Sequence, residues 1–265
     1  MAEFSVRRQR GFTTIALACF LVLYAPIATL VVYSFNAGSN LALWEGVSLR
    51  WYVAAWENEQ VQDAAIRSLV VALAASALAT TLATMAALGT TRQPAYRGKT
   101  AVYALINQPL MVPEIVTGVA LLVMFAIVKE ATGYHGLFYL IAAHTAFCIP
   151  FAYLPIRARL EGMDRTLEIA AADLYATPWA AFRRVTLPLM FPGIVAGAML
   201  AFVISLDDVV ITEFVKSAGQ DTLPTYMLGQ LRRVITPEIN AISTVLLGIS
   251  VLILSIFFLV TRTPR

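Results

Sequence analysis

Apolar runs long enough to cross a bilayer alternate with short polar segments along this chain. A transmembrane helix needs about 20 mostly apolar residues, because each residue adds ~1.5 Å of length. By that measure we predict six spans, which are residues 12–35, 66–90, 101–128, 137–156, 189–211 and 239–260. The first run is longer than the apolar core of a signal peptide, so we expect an uncleaved helix. The pattern predicts an all-α integral membrane protein with a single transmembrane domain, residues 1–265.

Composition supports that class. Hydrophobic residues make up 59% of the chain and charged residues 13%, whereas soluble domains carry about 25% charged residues. The net charge of +3 is too small to indicate a nucleic-acid partner. The positions of the charges are therefore more informative than their sum.

Two predicted spans carry features that affect packing. Residues 66–90 are rich in Ala, Ser and Thr, whose small side chains let helices approach closely, so we expect this helix in the bundle interior. Residues 101–128 contain Pro109 and Pro113, each of which removes a backbone donor, so we expect a kink or a local unwinding there. The loop after the first span predicts a short helix at the water interface, where aromatic residues concentrate: Trp51, Tyr52 and Trp56.

The basic residues predict an orientation. With the amino terminus in the cytoplasm, 13 Lys and Arg lie in inside segments: Arg7, Arg8, Arg10, Arg92, Arg97, Lys99, Arg157, Arg159, Arg165, Arg183, Arg184, Arg262 and Arg265. Five lie in outside segments: Arg50, Lys129, Lys216, Arg232 and Arg233. Because cytoplasmic loops carry the excess of Lys and Arg, we predict that both termini and the central loop are cytoplasmic. No internal repeat is evident, so an inverted-repeat carrier gains no support.

Three acidic residues fall inside predicted spans, where a charge is costly and usually faces a cavity or a partner. Glu114 lies about 13 residues into its span, roughly 20 Å from the cytoplasmic side. Asp207 and Asp208 lie about 17 residues into theirs, roughly 26 Å, near the outer mouth. Apart from Arg67 at a boundary, no basic residue in the spans neutralises them. The three acids predict an entry pathway for a cationic solute.

A structural role for these acids stays open. Adjacent side chains point about 100° apart on a helix, so at most one of Asp207 and Asp208 is expected to face the pathway. Nearby hydroxyl groups or backbone N–H groups are sufficient to satisfy a buried carboxylate. For Glu238 and Asn240, which follow Pro237, helix capping is the favoured interpretation.

The residues indicate no catalytic or metal site. His135 and His144 lack Cys, Asp or Glu at ligand spacing, so packed or hydrogen-bonded histidines are expected. No Gly-rich phosphate loop with Lys-Ser or Lys-Thr occurs, so this chain is not expected to hydrolyse ATP. No nucleophile–base pair stands out either. We predict a protein that is not an enzyme.

The polar loop at residues 157–188 has features that favour a docking role. Its acids come early (Glu161, Asp164, Glu168) and its basic pair late (Arg183, Arg184), which suits a short helix outside the bilayer. A patch of small residues follows the acids and leaves a shallow surface: Ala170, Ala171 and Ala172. A loop of this kind more often serves binding than connection.

This loop resembles the EAA loop of binding-protein-dependent ABC transporter permeases. That pattern is Glu-Ala-Ala, three residues, Gly, nine residues, then an aliphatic residue, any residue and Leu-Pro. Ala170-Ala171 and Leu187-Pro188 match it, and Val185 supplies the aliphatic residue. Ile169 stands where the Glu belongs, with Glu168 one residue early, and Tyr175 replaces the Gly.

Other segments are similar to the second permease subunit of spermidine/putrescine importers. They are Arg50-Trp51-Tyr52, Asp207-Asp208, Thr222-Leu223-Pro224 and Pro237-Glu238-Ile239-Asn240-Ala241. The resemblance implies the MetI-like fold of type I importer permeases in the bacterial inner membrane. It also implies that residues of the loop form a coupling helix inserted into an ATPase subunit: Glu168, Ile169, Ala170, Ala171, Asp173, Leu174, Tyr175, Ala176, Leu187 and Pro188.

The same resemblance implies the partners. They are a homologous permease subunit, two ATPase subunits that carry ATP and Mg, and an extracytoplasmic substrate-binding protein. No cofactor is then expected on this chain. The alternatives are an ion-gradient-driven secondary carrier of a cationic solute, using Glu114 and Asp208 as ion sites, and a structural membrane protein. The sequence does not separate putrescine from spermidine or a related amine.

Overall fold

The computed structural model describes residues 11–40, 43–94, 96–232 and 237–261, with side chains up to residue 256. The described helices are α1 (Phe12–Tyr33), α2 (Arg50–Glu57), α3 (Glu59–Thr91), α4 (Lys99–Met111), α5 (Glu114–Thr132), α6 (Phe138–Glu161), α7 (Thr166–Asp173), α8 (Pro178–Ala181), α9 (Leu187–Asp207), α10 (Val210–Val215), α11 (Leu223–Leu231) and α12 (Glu238–Thr261). A π-helical turn, Phe182–Thr186, joins α8 to α9.

Six of these helices are long and apolar enough to cross a membrane. Extended pairing within the described ranges is limited to one isolated bridge between Asn36 and Val47. The prediction of an all-α protein with six spans is therefore confirmed. The interfacial helix expected around Trp51 is α2.

The fold divides into two compact units. The first comprises residues 1–62 and 227–249, and the second residues 63–226 and 250–265. In the first unit, Asn58 Nδ2 donates to Glu238 Oε1 at 3.0 Å, which ties the end of α2 to the start of α12. The second unit contains the predicted pathway acids and the polar loop. The expectation of a single domain over 1–265 stays a prediction.

A stripe of alanines on α3 forms one wall of the second unit. Ala75, Ala79, Ala83 and Ala87 recur at intervals of four residues and are fully buried. Residues i and i+4 lie on the same helix face, so these small side chains make a flat surface for close packing. The prediction of close packing is confirmed for this face, whereas the opposite face of α3, with Leu73, Leu82 and Met85, is exposed in the isolated chain.

The helices α6 and α9 pack along each other within the second unit. Two glycines on α9 permit their close approach. A Cβ on Gly197 would lie 2.6 Å from the Ala152 carbonyl oxygen, and one on Gly193 would lie 2.6 Å from Arg159 Cβ. Backbones this close gain dispersion contacts, which drive helix association where no hydrophobic effect operates.

Two predicted spans are broken. The span predicted at 101–128 consists of α4 and α5, interrupted at Val112–Pro113, so the expected unwinding is confirmed. Glu114 is then the first residue of α5, directly after the interruption. The span predicted at 189–211 ends at Asp207, and α10 begins after a two-residue interruption.

Other boundaries differ by smaller amounts. The fourth span continues to Glu161, so Arg157 and Arg159 belong to the last turns of α6 and not to the loop. The second span begins at Glu59 instead of residue 66, within a helix of 33 residues. Several basic residues used for the orientation lie outside the described residues: Arg7, Arg8, Arg10, Arg233, Arg262 and Arg265.

Candidate functional site

The two helix breaks place the predicted pathway acids around one cavity. Glu114 opens α5, Asp207 closes α9, and Asp208 lies in the interruption before α10. The cavity has a volume of about 420 Å³ and is lined by Glu114, Phe147, Phe151, Val203, Ile204, Asp207, Asp208, Val209 and Val210. Three of these nine residues are acidic and none is basic. The structure therefore brings together residues that are up to 94 positions apart in sequence, in an acidic and otherwise apolar cavity.

Asp208 is buried and fully engaged. Its carboxylate accepts hydrogen bonds from the backbone N–H groups of Ile211 (3.2 Å) and Thr212 (2.9 Å), and from Thr212 Oγ1 (2.9 Å). These donors belong to the first turn of α10, where backbone N–H groups have no helical partner. Asp208 thus accepts hydrogen bonds from the free N–H groups at the start of α10. This agrees with the alternative that the acids in the spans have a structural role.

His144 joins Asp208 to α6 and α9. Its Nδ1 lies 2.8 Å from Ser205 Oγ and its Nε2 lies 2.9 Å from Thr212 Oγ1. Nε2 is also 3.4 Å from Asp208 Oδ2, and both side chains are almost inaccessible to solvent. The expectation of a hydrogen-bonded histidine is confirmed. Among the described residues, no group of three or more His, Cys, Asp or Glu is arranged to hold a metal ion.

Glu114 and Asp207 are the accessible acids of the cavity. Glu114 is half-buried and Asp207 is exposed. Asp207 adds a third acidic group to the lining that Glu114 and Asp208 share. Carboxylates accept hydrogen bonds and do not donate them when ionised, so this site is suited to a ligand that supplies positive donors. The role of the three residues in a substrate pathway stays a prediction.

The polar loop contains the expected short helix, α7 (Thr166–Asp173). Asp164 accepts a hydrogen bond from the Thr166 N–H at 2.9 Å just before that helix. The backbone N–H and the hydroxyl of Thr166 hold the pKa of the Asp164 carboxyl below its usual range. A negative charge at this end also suits the helix dipole.

Glu168 anchors α7 to the membrane helices. Its Oε1 accepts from Arg92 Nε at 3.0 Å and from Thr186 Oγ1 at 3.0 Å. Arg92 lies just after α3 and its Nη1 also donates to the Leu160 carbonyl at the end of α6 (3.1 Å). Thr186 ends the π-helical turn that leads into α9. One carboxylate therefore connects α7 to residues at the ends of α3 and α9.

Tyr175 occupies the position at which the loop pattern has Gly, and it has a left-handed backbone with φ of 58°. Gly adopts such angles at little cost, whereas other residues rarely do. The Tyr175 side chain is 96% exposed, and the neighbouring Leu174 is 82% exposed. Large apolar groups so accessible to water mark a contact surface.

The other predicted coupling residues surround that surface. Ile169, Ala170 and Asp173 are exposed, while Ala171 and Ala176 are half-buried and linked by a backbone hydrogen bond of 3.0 Å. Leu187 and Pro188 form the first turn of α9, outside α7. Their role in coupling to an ATPase stays a prediction.

Several residues of both sites escaped the sequence-based prediction. They are Arg92 and Thr186 beside Glu168, the exposed Trp179, and the Ser205 and Thr212 partners of His144. Arg92 could be counted only as a loop charge, because its partner is 76 residues away. No local signal marked Trp179, because single exposed apolar residues are common on protein surfaces.

Comparison with known proteins places these features in a family. Residues 79–263 match the family described as binding-protein-dependent transport system inner membrane component. The chain is 38% identical to the putrescine transport system permease protein PotI of Escherichia coli K12, over 94% of this chain and 89% of PotI. It is 35% identical to the spermidine/putrescine transport system permease protein PotC of Haemophilus influenzae, over 99% and 98%.

Solved structures share the fold. A bacterial ABC transporter that imports alginate matches with a TM-score of 0.70 and 20% identity, over 96% of both chains. The MetNI methionine ABC transporter matches with a TM-score of 0.56 and 20% identity, over 77% of this chain and 98% of the other. The fold is that of ABC importer permeases. Because the family match covers residues 79–263 and the relatives match nearly the whole chain, the chain belongs to the family of binding-protein-dependent transport system inner membrane components and is a multi-pass permease subunit.

Proposed function

We propose that this chain is one permease subunit of an ATP-driven ABC importer that translocates polyamines. The observation that carries the proposal is the cavity in which Glu114, Asp207 and Asp208 meet with no basic residue in the lining. The names of relatives 33–38% identical over most of the chain, which transport putrescine or spermidine, support the same substrate class.

The cavity has the chemistry that a polyamine needs. Putrescine and spermidine carry two and three ammonium groups separated by methylene chains, so each molecule alternates cationic ends with apolar segments. Glu114 and Asp207 are accessible carboxylates, and Phe147 and Phe151 line the same cavity. Ammonium–carboxylate hydrogen bonds are among the strongest in proteins, and aromatic faces also attract cations. Fold likeness alone does not select this substrate, since the alginate importer handles an acidic polysaccharide.

Energy for transport enters through α7 in this proposal. The exposed Leu174 and Tyr175 dock on an ATPase subunit, and Glu168 transmits its motion to α3 and α9. The complete importer comprises this chain, a homologous permease subunit, two ATPase subunits with ATP and Mg, and an extracytoplasmic binding protein that delivers the polyamine. ATP binding closes the ATPase pair, and access to the acidic cavity alternates between the two sides of the membrane.

The orientation belongs to the same proposal. We place both termini and α7 in the cytoplasm of a bacterium whose inner membrane holds the chain, because the basic residues concentrate on that side. Arg92, Arg97, Lys99, Arg183 and Arg184 all flank α7 or the loop beside it.

Reconstituted transport tests the proposal. The full importer in proteoliposomes should accumulate radiolabelled putrescine or spermidine only when ATP is inside and the binding protein outside. An acidic or neutral solute of similar size should not compete. Uptake driven by an ion gradient without the ATPase subunits would instead establish a secondary carrier. Absence of any amine flux with all partners present would contradict the proposal.

A further inference from the structure

A second cavity, which shares only α6 with the acidic one, has the reverse charge. It measures about 580 Å³ and is lined by Thr90, Thr91, Arg92, Lys99, Thr100, Tyr103, Tyr153, Arg157, Glu161 and Arg165. Four of these residues are basic and one is acidic. They come from the end of α3, the start of α4, the end of α6 and the residue before α7. A volume of this size accommodates a phosphate-bearing group and not only a single water.

Existing contacts leave part of that positive charge unpaired. Arg157 pairs with Glu161 at 2.8 Å and lies over the Tyr103 ring at 4.7 Å. Within the described part of the chain, the salt bridges leave Lys99 and Arg165 without an acidic partner. Uncompensated charges of one sign around a concave surface concentrate the potential there and attract a counter-ion.

Arg92 adds a third basic group to this lining, beside Lys99 and Arg165. Its Nε donates to Glu168 and its Nη1 to the Leu160 carbonyl, so the guanidinium is held in place by the protein. Its Nη2 has no acceptor among the described residues but is buried, so it is the charge of Arg92 that acts on the cavity.

The start of α4 adds uncharged donors. Gly98 precedes the helix with φ of 93° and provides no side-chain cap; the Lys99 N–H donates to the Tyr96 carbonyl at 3.3 Å, and the next N–H groups of α4 lack a side-chain acceptor. Helix N-termini of this length favour anions. Thr100 adds a hydroxyl group to the lining, whereas the Thr91 hydroxyl already donates to the Ala87 carbonyl at 2.6 Å. Guanidinium, ammonium, hydroxyl and amide donors together match the oxygens of a phosphate group.

We propose that this cavity binds a phosphate group, either in the headgroup of an anionic phospholipid or in a soluble phosphate compound. Basic pockets between membrane helices on the cytoplasmic side are typical binding sites for anionic headgroups. That the cavity faces the cytoplasm rests on the orientation proposed above. The bound phosphate would lie beside the guanidinium of Arg92, the residue that holds Glu168 of α7.

The test uses the full chain in its assembled transporter, in phosphatidylcholine nanodiscs with and without phosphatidylglycerol. Bound phosphatidylglycerol is measured by native mass spectrometry, and inorganic pyrophosphate is titrated separately as the soluble probe. The variant is Lys99→Gln with Arg165→Gln, which removes two charges that hold no internal partner. The matched control is Arg97→Gln with Arg183→Gln, an equal charge change at exposed residues outside the cavity.

We expect the cavity variant to weaken binding of one probe about 30-fold, with the control close to wild type. Loss of phosphatidylglycerol identifies a lipid headgroup, and loss of pyrophosphate identifies a soluble phosphate. Unchanged melting of the variant separates lost binding from misfolding. If wild type binds neither probe, or if both double variants weaken binding equally, the site does not exist. Neither result bears on polyamine transport, which the uptake assay tests separately.

Discussion

Asp207 and Asp208 are neighbours in the chain but have different surroundings. Asp207 ends α9 and is exposed to the cavity, whereas Asp208 is buried against the first turn of α10 and His144. A carboxylate with three donors is held in one position by the fold. A carboxylate exposed to the cavity is free to bind an incoming group. Asp208 therefore has a structural role at the start of α10, whereas Asp207 is accessible from the cavity.

Glu114→Gln should weaken polyamine uptake. Gln keeps the size of the side chain but removes the charge, so one ammonium–carboxylate interaction is lost and we expect the KM for uptake to rise about tenfold. Uptake of radiolabelled putrescine and spermidine over a range of concentrations measures it. Glu130→Gln is the matched control, because that acid lies exposed near the far end of the same helix and outside the cavity. Wild-type uptake in Glu114→Gln would contradict the acidic pathway.

Asp208→Ala should destabilise the protein more than Asp208→Asn does. Ala leaves the N–H groups of Ile211 and Thr212 without their acceptor, and loss of such a cap typically costs about 1–2 kcal/mol. Asn keeps one of the two acceptor oxygens and so retains part of the cap. Thermal melting of wild type and both variants in detergent gives the order. Wild-type melting of Asp208→Ala would show that Asp208 does not stabilise α10.

In the proposed mechanism, α7 transmits the motion of an ATPase subunit only if α7 is fixed to the membrane helices. Glu168 provides that fixation through Arg92 and Thr186, each at 3.0 Å. Thr186 belongs to a π-helical turn, a rare geometry that is frequent at functional sites. The turn and α9 form one continuous helical segment from Pro178 to Asp207, so α7 is connected to the helix that ends at the acidic cavity.

Tyr175→Gly should separate the effect of the left-handed backbone of Tyr175 from the effect of its exposed ring. Gly relieves the left-handed backbone strain, worth about 1 kcal/mol, so thermal stability should stay level or rise. The variant loses the exposed ring, so we expect uptake per ATP hydrolysed to fall several-fold if that ring contacts the ATPase. Measurement of both rates in proteoliposomes gives the ratio.

Tyr175→Asn is the companion variant. Asn tolerates the left-handed region and also removes the ring, so the two variants should behave alike. A coupling ratio that stays at the wild-type value in both would show that the aromatic group does not contribute to docking.

The predicted elements agree with the structure where the cause is local. Pro113 removes a donor, so the break before α5 was visible in the sequence. The break after Asp207 was not, because no proline or glycine marks it and the apolar pattern continues to Ile211. It arises because the Asp208 side chain captures the N–H groups that a continuous helix would bond to its own preceding carbonyls.

The candidate sites were predictable only as far as charge indicated them. Glu114, Asp207 and Asp208 were singled out because acids are rare within spans. The partners of His144 lie 61 and 68 residues away, and no local pattern reports contacts of that range. The unpaired Nη2 of Arg92 is likewise a property of three-dimensional packing and not of composition.

Within residues 63–226, the acidic cavity and α7 share their supports. The helix α6 carries Phe147 and Phe151 at the cavity and leads into the polar loop at its other end. The helix α9 begins just after that loop and ends at Asp207. In the proposed mechanism, displacement of α7 acts on α6 and α9, which both line the cavity and pack along each other with close contacts at Gly193 and Gly197.

An ATPase subunit can move α7 only if α7 lies on the cytoplasmic side of the membrane, where ATP is present. Cysteine accessibility tests that location. In a chain with Cys19→Ala and Cys148→Ala, single cysteines are introduced as Leu174→Cys after α7 or Val47→Cys in the first loop, both at highly exposed positions.

A membrane-impermeant maleimide should label Val47→Cys in intact spheroplasts, and Leu174→Cys only after permeabilisation. Leu122→Cys, on the apolar α5, serves as the buried-in-lipid control and should resist labelling in both conditions. Labelling of Leu174→Cys without permeabilisation would invert the topology. Because ATP is cytoplasmic, that result would disconnect α7 from any ATPase and leave an ion gradient as the energy source for the acidic cavity.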